Sequence, residues 1–210
     1  MKLRKAKNPD VSQIRALINS MALRTDESHK NGHMLPRSLT ELYEHIRDYT
    51  VLVDDNDRIM GCCALESQWD SLAELKALAV NDVLQGQGWG RRLVEASVAE
   101  CAELGVECVY TLTNKMDFFL KLAFVPIHMG ELPQRVWSEC VNCPKYDAGC
   151  DEVAMTYQGR RPKQIFIPAV GVNAPPAARV ALGLADAAPA NFIPLNEVDD
   201  APAMPQPRED

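Results

Sequence analysis

Three groups of residues have types and spacings that suit chemistry. The first is Gln85-Gly86-Gln87-Gly88-Trp89-Gly90, set between an apolar run ending at Val80 and a helical pattern. Glycines let backbone N–H groups come close to an anion, and a helix N-terminus adds the positive end of a dipole. Such a loop suits a pyrophosphate. It is not a Walker A loop, because no Gly-Lys-Ser/Thr follows. Nor is it a Rossmann fingerprint: it lies mid-chain, after a hairpin-type sheet, with no strand-end acid about 20 residues on. A tight strand-to-helix turn is the alternative that the glycines alone leave open. The second group is Glu74 and Lys76, which alternate on an apolar strand candidate and so share one face. Charges on a buried strand need a reason: they are a mutual ion pair or they face a cleft. The third is Cys140-x2-Cys143-x6-Cys150. Structural zinc takes four ligands, so His128, Asp147 or Asp151 would have to complete the set; otherwise these are ordinary thiols.

These groups need elements to hold them. Residues 3–6 read as a short strand. Asn8 with Pro9 opens a helix on which Ile14, Leu17, Ile18 and Met21 form one apolar face. Ser38 and Glu41 form a capping box for a helix through Arg47. The apolar runs 50–53 and 59–65, joined by Asp54-Asp55-Asn56-Asp57, form a hairpin, and 75–80 is the next strand. After the Gly-rich loop a helix carries Leu93, Val94, Val98, Cys101 and Leu104 on one side, and Gly105 ends it. A strand at 108–112, a helix at 117–122 and extended segments from Phe124 and at 153–157 follow. This is an α/β (α+β) pattern: a mixed, mostly antiparallel sheet with helices on both faces. Cys62, Cys63, Cys101 and Cys108 fall in these patterns as core residues without a His partner, and His45 sits on a helix with no ligand at i+4. His29 and His33 flank a polar loop before Leu35.

The chain has 210 residues, 22 Lys+Arg and 29 Asp+Glu, for a net charge of −7. An acidic balance argues against nucleic acid as partner. No apolar run approaches the roughly 18 residues that span a bilayer. No apolar stretch follows the basic start, so no secretory signal is read, and seven cysteines point to free thiols or ligands in a reducing cytoplasm. Residues 159–210 hold 9 of the 14 prolines and 11 alanines, with 5 basic and 6 acidic side chains. That low-complexity tail reads as disordered, and residues 1–158 as the folded domain. Two apolar pieces in the tail, 165–167 and 192–195, are candidates for docking.

Gln85-x-x-Gly88-x-Gly90, with Leu78-Ala79-Val80 before it and Arg91-Arg92-Leu93 after it, resembles the acyl-CoA signature of the GNAT N-acetyltransferases. Phe118-Phe119-Leu120-Lys121-Leu122-Ala123-Phe124 resembles their second signature, near the CoA thiol. The likeness covers residues 1–158 in the family's element order. Within the family the chain is most similar to the acetyltransferase domain of N-acetylglutamate synthases. Leu35-Pro36-Arg37-Ser38-x-x-Glu41-Leu42, Ala73-Glu74-Leu75, Leu112-Thr113 and Leu132-Pro133 carry that likeness.

The resemblance implies a GNAT fold and acetyl-CoA as co-substrate, with no metal and zinc only as an outlying option at Cys140, Cys143 and Cys150. It implies transfer to the α-amine of L-glutamate by direct attack, the first step of arginine biosynthesis, in the cytoplasm. The rivals are another small-molecule or protein amine, or a non-catalytic acyl-CoA sensor. A homodimer is left open. Implied cofactor contacts are Leu78, Ala79, Val80, Gln85, Gly86, Gln87, Gly88, Trp89, Gly90, Arg91, Asn114, Phe118 and Phe119. Leu35, Arg37 and Lys76 are implied for the acceptor, Arg37 as a carboxylate clamp because its fork pairs both oxygens. Glu74 is implied as the base, directly or through a water held with Thr113. Two departures stand out. Full-length synthases carry an N-terminal kinase-like domain that senses arginine, whereas this sequence starts at the acetyltransferase region, so arginine feedback is not implied. Many members place a Tyr acid where Phe119 stands, so here solvent protonates the leaving thiolate, or it leaves unassisted.

Overall fold

A computed structural model of the chain describes residues 1–24, 34–133, 136, 140, 141, 143 and 150–162. They all belong to one compact unit, Met1–Phe166. His29, His33, Asp147 and the tail from residue 163, with its apolar pieces at 165–167 and 192–195, lie outside the described residues.

The elements run β1 (Lys2–Lys5), α1 (Val11–Ala22), α2 (Leu39–Glu44), β2 (Tyr49–Val53), β3 (Ile59–Trp69) and β4 (Leu72–Val80). They continue with α3 (Trp89–Ala99), α4 (Cys101–Leu104), β5 (Cys108–Thr113), α5 (Met116–Leu120), β6 (Phe124–Pro126) and β7 (Val153–Tyr157). The seven strands form one sheet in the order β1-β2-β3-β4-β5-β7-β6. Among the described residues only β4 and β5 pair in parallel. β7 inserts between β5 and β6, closing the sheet as the sequence pattern predicts.

Alternation of side chains divides the core between two faces. Ile14, Leu17, Ile18 and Met21 of α1 pack with Tyr49, Val51, Val53, Cys62, Ala64 and Ala79 on one face. Leu93 and Val94 of α3 pack with Leu52, Cys63, Leu65, Ala73, Leu75 and Val109 on the other. A third cluster, Leu72, Cys108, Tyr110, Leu132, Val136 and Ala154, extends the α1 face across β5 and β7. A bidentate ion pair, Arg4 Nη1 to Asp10 Oδ2 at 2.6 Å and Nη2 to Oδ1 at 3.0 Å, ties β1 to the entry of α1.

Three boundaries differ from the sequence reading. Asn8–Asp10 forms a 3-10 turn, and the α-helix begins only at Val11. α2 stops at Glu44, because His45 leaves helical geometry and Ile46–Asp48 turns as a 3-10 segment that buries Ile46. The helix after the Gly-rich loop is two pieces, α3 and α4, joined at Glu100; Leu104 is exposed rather than on the core side. Gly105 ends α4 at φ 69°, as expected.

One feature of β4 was not readable from alternation. Ala64 pairs with Lys76, yet Cys62 pairs with Ala79, so β4 carries a bulge between them. Ala77 sits there at φ 53°. A non-glycine residue in this region costs roughly 1–2 kcal/mol. The extra residue reverses the facing of everything after it. Ala73 and Leu75 face α3 before the bulge, Leu78 and Val80 after it, while Ala79 turns to the α1 side.

Candidate active site

The bulge coincides with a parting of strands. β4 and β5 pair only at Leu72–Cys108, Ala73–Val109 and Glu74–Tyr110. Beyond Glu74 the edge of β4 that faces β5 has no ladder partner from that strand. That edge runs past Leu78, Ala79 and Val80, and a strand edge without a neighbouring ladder suits the amides and thioester carbonyl of an extended acyl-pantetheine arm.

The Gly-rich loop stands at the end of that strand. Its glutamines brace it from within: Gln85 Nε2 donates to Val80 O at 3.1 Å and Asp82 Oδ1 at 3.0 Å, and Gln87 Nε2 to Val83 O at 2.8 Å. Asn81 caps the turn Asp82–Leu84. Gly86 and Gly88 lie at φ 74° and 81°, and nothing stands within 4 Å of where a side chain would start at either. Gly88 is the N-cap of α3. This is a backbone cradle open to solvent at the positive end of an eleven-residue helix, which fits a pyrophosphate. Gly90 lies against the ring of Phe118, so α5 abuts the start of α3. Trp89 stacks with the Arg92 guanidinium, 4.5 Å from the ring centroid, and Arg91 Nε pairs with Glu95 at 2.6 Å.

On the α1 face, Glu74 and Lys76 do point the same way, and they do not stand alone. Lys76 Nζ lies 2.6 Å from Glu66 Oε2 and 3.6 Å from Glu74 Oε2. Gln68 Nε2 donates to Glu66 Oε1 at 3.0 Å and reaches Glu74 Oε2 at 3.5 Å. The Tyr110 hydroxyl donates to Glu74 Oε2 at 3.4 Å. Glu74 is buried. Lys76, expected to touch the acceptor, lies between these two carboxylates.

Arg37 enters from the α2 side. Its backbone is held by Asn19, which accepts from Arg37 N at 2.8 Å. Ser38 then caps α2 through Glu41 N, an interaction worth about 1 kcal/mol. One guanidinium nitrogen, Nη1, bonds Glu41 Oε1. The Nε atom is buried with no partner among the described residues. Although burial opposes the charge, Glu41 foremost and Glu74 raise the Arg37 pKa, so the guanidinium stays cationic. Burial in turn pushes the Tyr49 hydroxyl pKa up, keeping it neutral. Leu35, half-exposed, precedes Arg37 on the same segment.

Several expected residues are placed differently. Thr113 lies three residues beyond Tyr110 on β5, so the pleat turns it to the face opposite Glu74. Its hydroxyl accepts from Lys115 N at 3.0 Å and closes the β5–α5 turn, a poor position from which to hold a water for Glu74. Asn114 Nδ2 donates to Asp151 Oδ2 at 3.0 Å. Phe119 is buried between the rings of Phe118 and Phe124, each with its centroid 5.1 Å away, so it is core wall and Phe118 is the more open of the two.

The thiols divide as expected in part. Burial pushes Cys63 up to about 12 and Cys108 up to about 11, so both are inert core thiols. Cys101 is half-buried in a groove of about 350 Å³ with Val98, Ala102 and Val106. Cys140 is pushed up to about 11 by burial and then by Cys150, Cys143 and Glu152. The described set whose ligand atoms all lie within 4.8 Å of one another is His45, Asp48 and Glu66, not the three cysteines. There the Lys76 ammonium already supplies the positive charge. Sequence reasoning missed Glu66, Gln68, Tyr49 and Tyr110, and set His45 aside for want of a ligand at i+4.

Comparison with known proteins agrees with this geometry. The family model of the acetyltransferase (GNAT) family matches residues 18–124. An uncharacterized N-acetyltransferase of Chlorobaculum tepidum is 42% identical over 124 residues, 59% of this chain and 79% of that protein. The amino-acid acetyltransferase of Mycobacterium tuberculosis is 28% identical over 152 residues, 71% of this chain and 82% of the relative. Among solved structures, N-acetylglutamate synthase from Neisseria gonorrhoeae, complexed with coenzyme A and N-acetyl-glutamate, superposes with a TM-score of 0.64 at 23% identity. That match takes in 76% of this chain and 35% of the gonococcal one. With a parted β4–β5 pair, a backbone cradle at the head of α3 and this family match, the chain belongs to the GNAT family, as an N-acetyltransferase that takes acetyl-CoA as co-substrate.

Proposed function

We propose that the chain acetylates the α-amine of L-glutamate. The observation that carries this reading is Arg37. Its Nη1 is committed to Glu41, while its Nε is buried without a partner among the described residues. An unmade bond on a buried guanidinium is costly, and the Nε/Nη2 edge of the fork matches a carboxylate bidentately. A glutamate carboxylate on that edge supplies the missing acceptor. The relatives named amino-acid acetyltransferase support an amino-acid acceptor, and the gonococcal complex contains N-acetyl-glutamate.

In this reading the loop 85–90 holds the pyrophosphate, and the backbone at 78–80 orients the acetyl group. The amine nitrogen attacks the thioester carbonyl carbon directly. Glu74 accepts the proton that the nitrogen must lose, and it does so without Thr113. The carbon–sulfur bond then breaks, and the sulfur leaves as thiolate and takes a proton from solvent, since Phe119 offers none. Lys76 keeps Glu66 and Glu74 from repelling one another. Arginine biosynthesis and a cytoplasmic location belong to this same proposal. Among the described residues no helix is long and apolar enough to cross a membrane.

The test is thiol release from acetyl-CoA across an amino-acid panel. Glutamate should give the highest kcat/KM, with aspartate and glutamine well below. Preference for a cationic or apolar amino acid would refute the acceptor. Absence of turnover with every amine would leave only a binding protein.

A further inference from the structure

Each turnover loads one proton onto Glu74, which is buried and must be cleared before the next. We propose that His45 is the outlet of a proton path running from Glu74 through Lys76 and Glu66 to the surface. The inference rests on Glu74 as the proton acceptor proposed above.

The groups form a file with two gaps slightly wider than a hydrogen bond. From Glu74 Oε2 to Lys76 Nζ is 3.6 Å, and from Lys76 Nζ to Glu66 Oε2 is 2.6 Å. The same Glu66 oxygen lies 3.9 Å from His45 Nδ1, and His45 Nδ1 lies 3.1 Å from Asp48 Oδ2. Exposure of the side chains rises along the file: 10% at Glu74, 13% at Lys76 and Glu66, 39% at His45. The fold builds this outlet deliberately. α2 stops at Glu44, the His45 backbone N–H still bonds Glu41 O at 3.0 Å, and the 3-10 turn that follows swings Asp48 back onto the ring. The charged groups on the ring are Asp48 from that turn and Glu66 from β3, with Lys76 of β4 behind Glu66.

The transfer balances. The Lys76 ammonium first passes a proton to Glu66, and the neutral amine so left takes the proton of Glu74, so Lys76 ends as the cation it began. Glu66 then passes the proton to Nδ1 of neutral His45 in its Nε2–H tautomer, and the imidazolium so formed donates from Nδ1 to Asp48. The imidazolium loses a proton to water. One proton has moved from Glu74 to solvent and each group has its starting charge. The 3.6 and 3.9 Å gaps exceed a hydrogen bond by under about 1 Å, a side-chain adjustment.

The experiment compares His45→Gln, His45→Ala and Glu74→Gln in the full chain, with thiol release followed from pH 6 to 9 and with added imidazole. Gln retains a hydrogen bond to Asp48 but carries no proton. Both His45 variants should lose kcat by about 10-fold or more near pH 7, less than the 10²–10⁴ of a direct acid–base group because water substitutes in part. KM for both substrates should hold, and imidazole should restore the Ala variant. Unchanged kcat in His45→Gln overturns the path, and so does a loss that His45→Gln escapes or imidazole does not repair. A loss in Glu74→Gln with none in His45→Gln would fell the path and leave the base standing. Full activity of Glu74→Gln would fell the base reading itself.

Discussion

Removing the Arg37 side chain separates the glutamate reading from every acceptor without a carboxylate. Only 17% of that side chain is exposed, so a bound carboxylate would meet a largely desolvated partner. Truncating one member of a buried, hydrogen-bonded charge pair costs on the order of 2–5 kcal/mol. At about 1.36 kcal/mol per decade, that is roughly 30- to 5,000-fold in kcat/KM for glutamate. The acetyl-CoA KM should hardly move, because the pyrophosphate cradle at Gly86 and Gly88 lies at the far end of β4. Arg37→Ala also strips Glu41 and Glu74 of a cation, so some loss in kcat accompanies the rise in glutamate KM. Arg37→Lys keeps the charge and loses the planar fork, so its defect should fall between the parent and Arg37→Ala. The assay is initial-rate thiol release with each substrate varied at saturation of the other, after thermal melts confirm folding. Equal effects on the two substrates, or a folded Arg37→Ala with unchanged glutamate kcat/KM, would refute the argument.

Glu74→Gln should lower kcat by roughly 10²–10⁴-fold near neutral pH, the range of a positioned general base. The loss should shrink as pH rises and bulk deprotonation of the amine replaces the base; a pH–rate profile parallel to the parent's would exclude that role. Gly88→Val forces a β-branched side chain to φ 81° and into the open cradle, so calorimetry should show acetyl-CoA affinity sharply reduced. Unchanged affinity in a folded Gly88→Val protein would move the pyrophosphate elsewhere. The side-chain hydrogen bonds from Arg4, foremost, hold the Asp10 pKa below its ordinary 3.8. A depressed carboxyl stabilises the fold above its unfolded pKa, and that contribution is lost as pH falls through the folded value. Acid unfolding of the parent should therefore include a step below about pH 4 that Asp10→Asn lacks. Asp10→Asn should also lower stability at pH 7 by about 1–3 kcal/mol in a denaturant titration.

Much of the fold was legible because its elements repeat at their own periods. The α1 face at Ile14, Leu17, Ile18 and Met21 is buried as its 3.6-residue spacing requires. The hairpin turn at Asp54 closes through that residue's carboxylate, which accepts from Asn56 N and Arg58 N. The helix boundaries slipped where a tertiary demand overrode the local pattern. Val98 and Cys101 continue the α3 stripe, but Glu100 is drawn to Lys5 of β1, 2.8 Å away, and the helix breaks there. The bulge at Ala77 left no trace in composition: an alanine in the left-handed region looks like any other alanine. Yet the bulge flips the facing of Leu78, Ala79 and Val80 and lies where β4 parts from β5.

The polar half of the site was not readable from the turn. Trp69 pairs with Leu72 across the turn at Asp70 and Ser71, which counted outward sets Ser67 opposite Glu74; a register shift between Ser67 and Trp69 brings Glu66 there instead. Two carboxylates directly opposed on one buried face repel, and a sheet tolerates that only with a cation between them. Lys76, two residues from Glu74 on the same face, is the cation within reach. So the ion pairs of Lys76 with Glu66 and Glu74 follow from that register shift and not from the turn, and in the proposed reading the acceptor carboxylate goes to Arg37, a cation from outside the sheet whose buried Nε has no partner among the described residues. His45 could not be found by this route. Its neighbour at i+4 is Tyr49, and its acid partners come from a 3-10 turn and from a strand 21 residues on. Helical spacing says nothing about a ring that sits just past the last helical turn. For the same reason the acceptor clamp depends on local sequence and should survive changes on β3, whereas the clearance of protons depends on three separate segments meeting. Substitutions at Glu66 should therefore act on kcat and its pH dependence before they act on glutamate KM, which steady-state kinetics of Glu66→Gln would read directly.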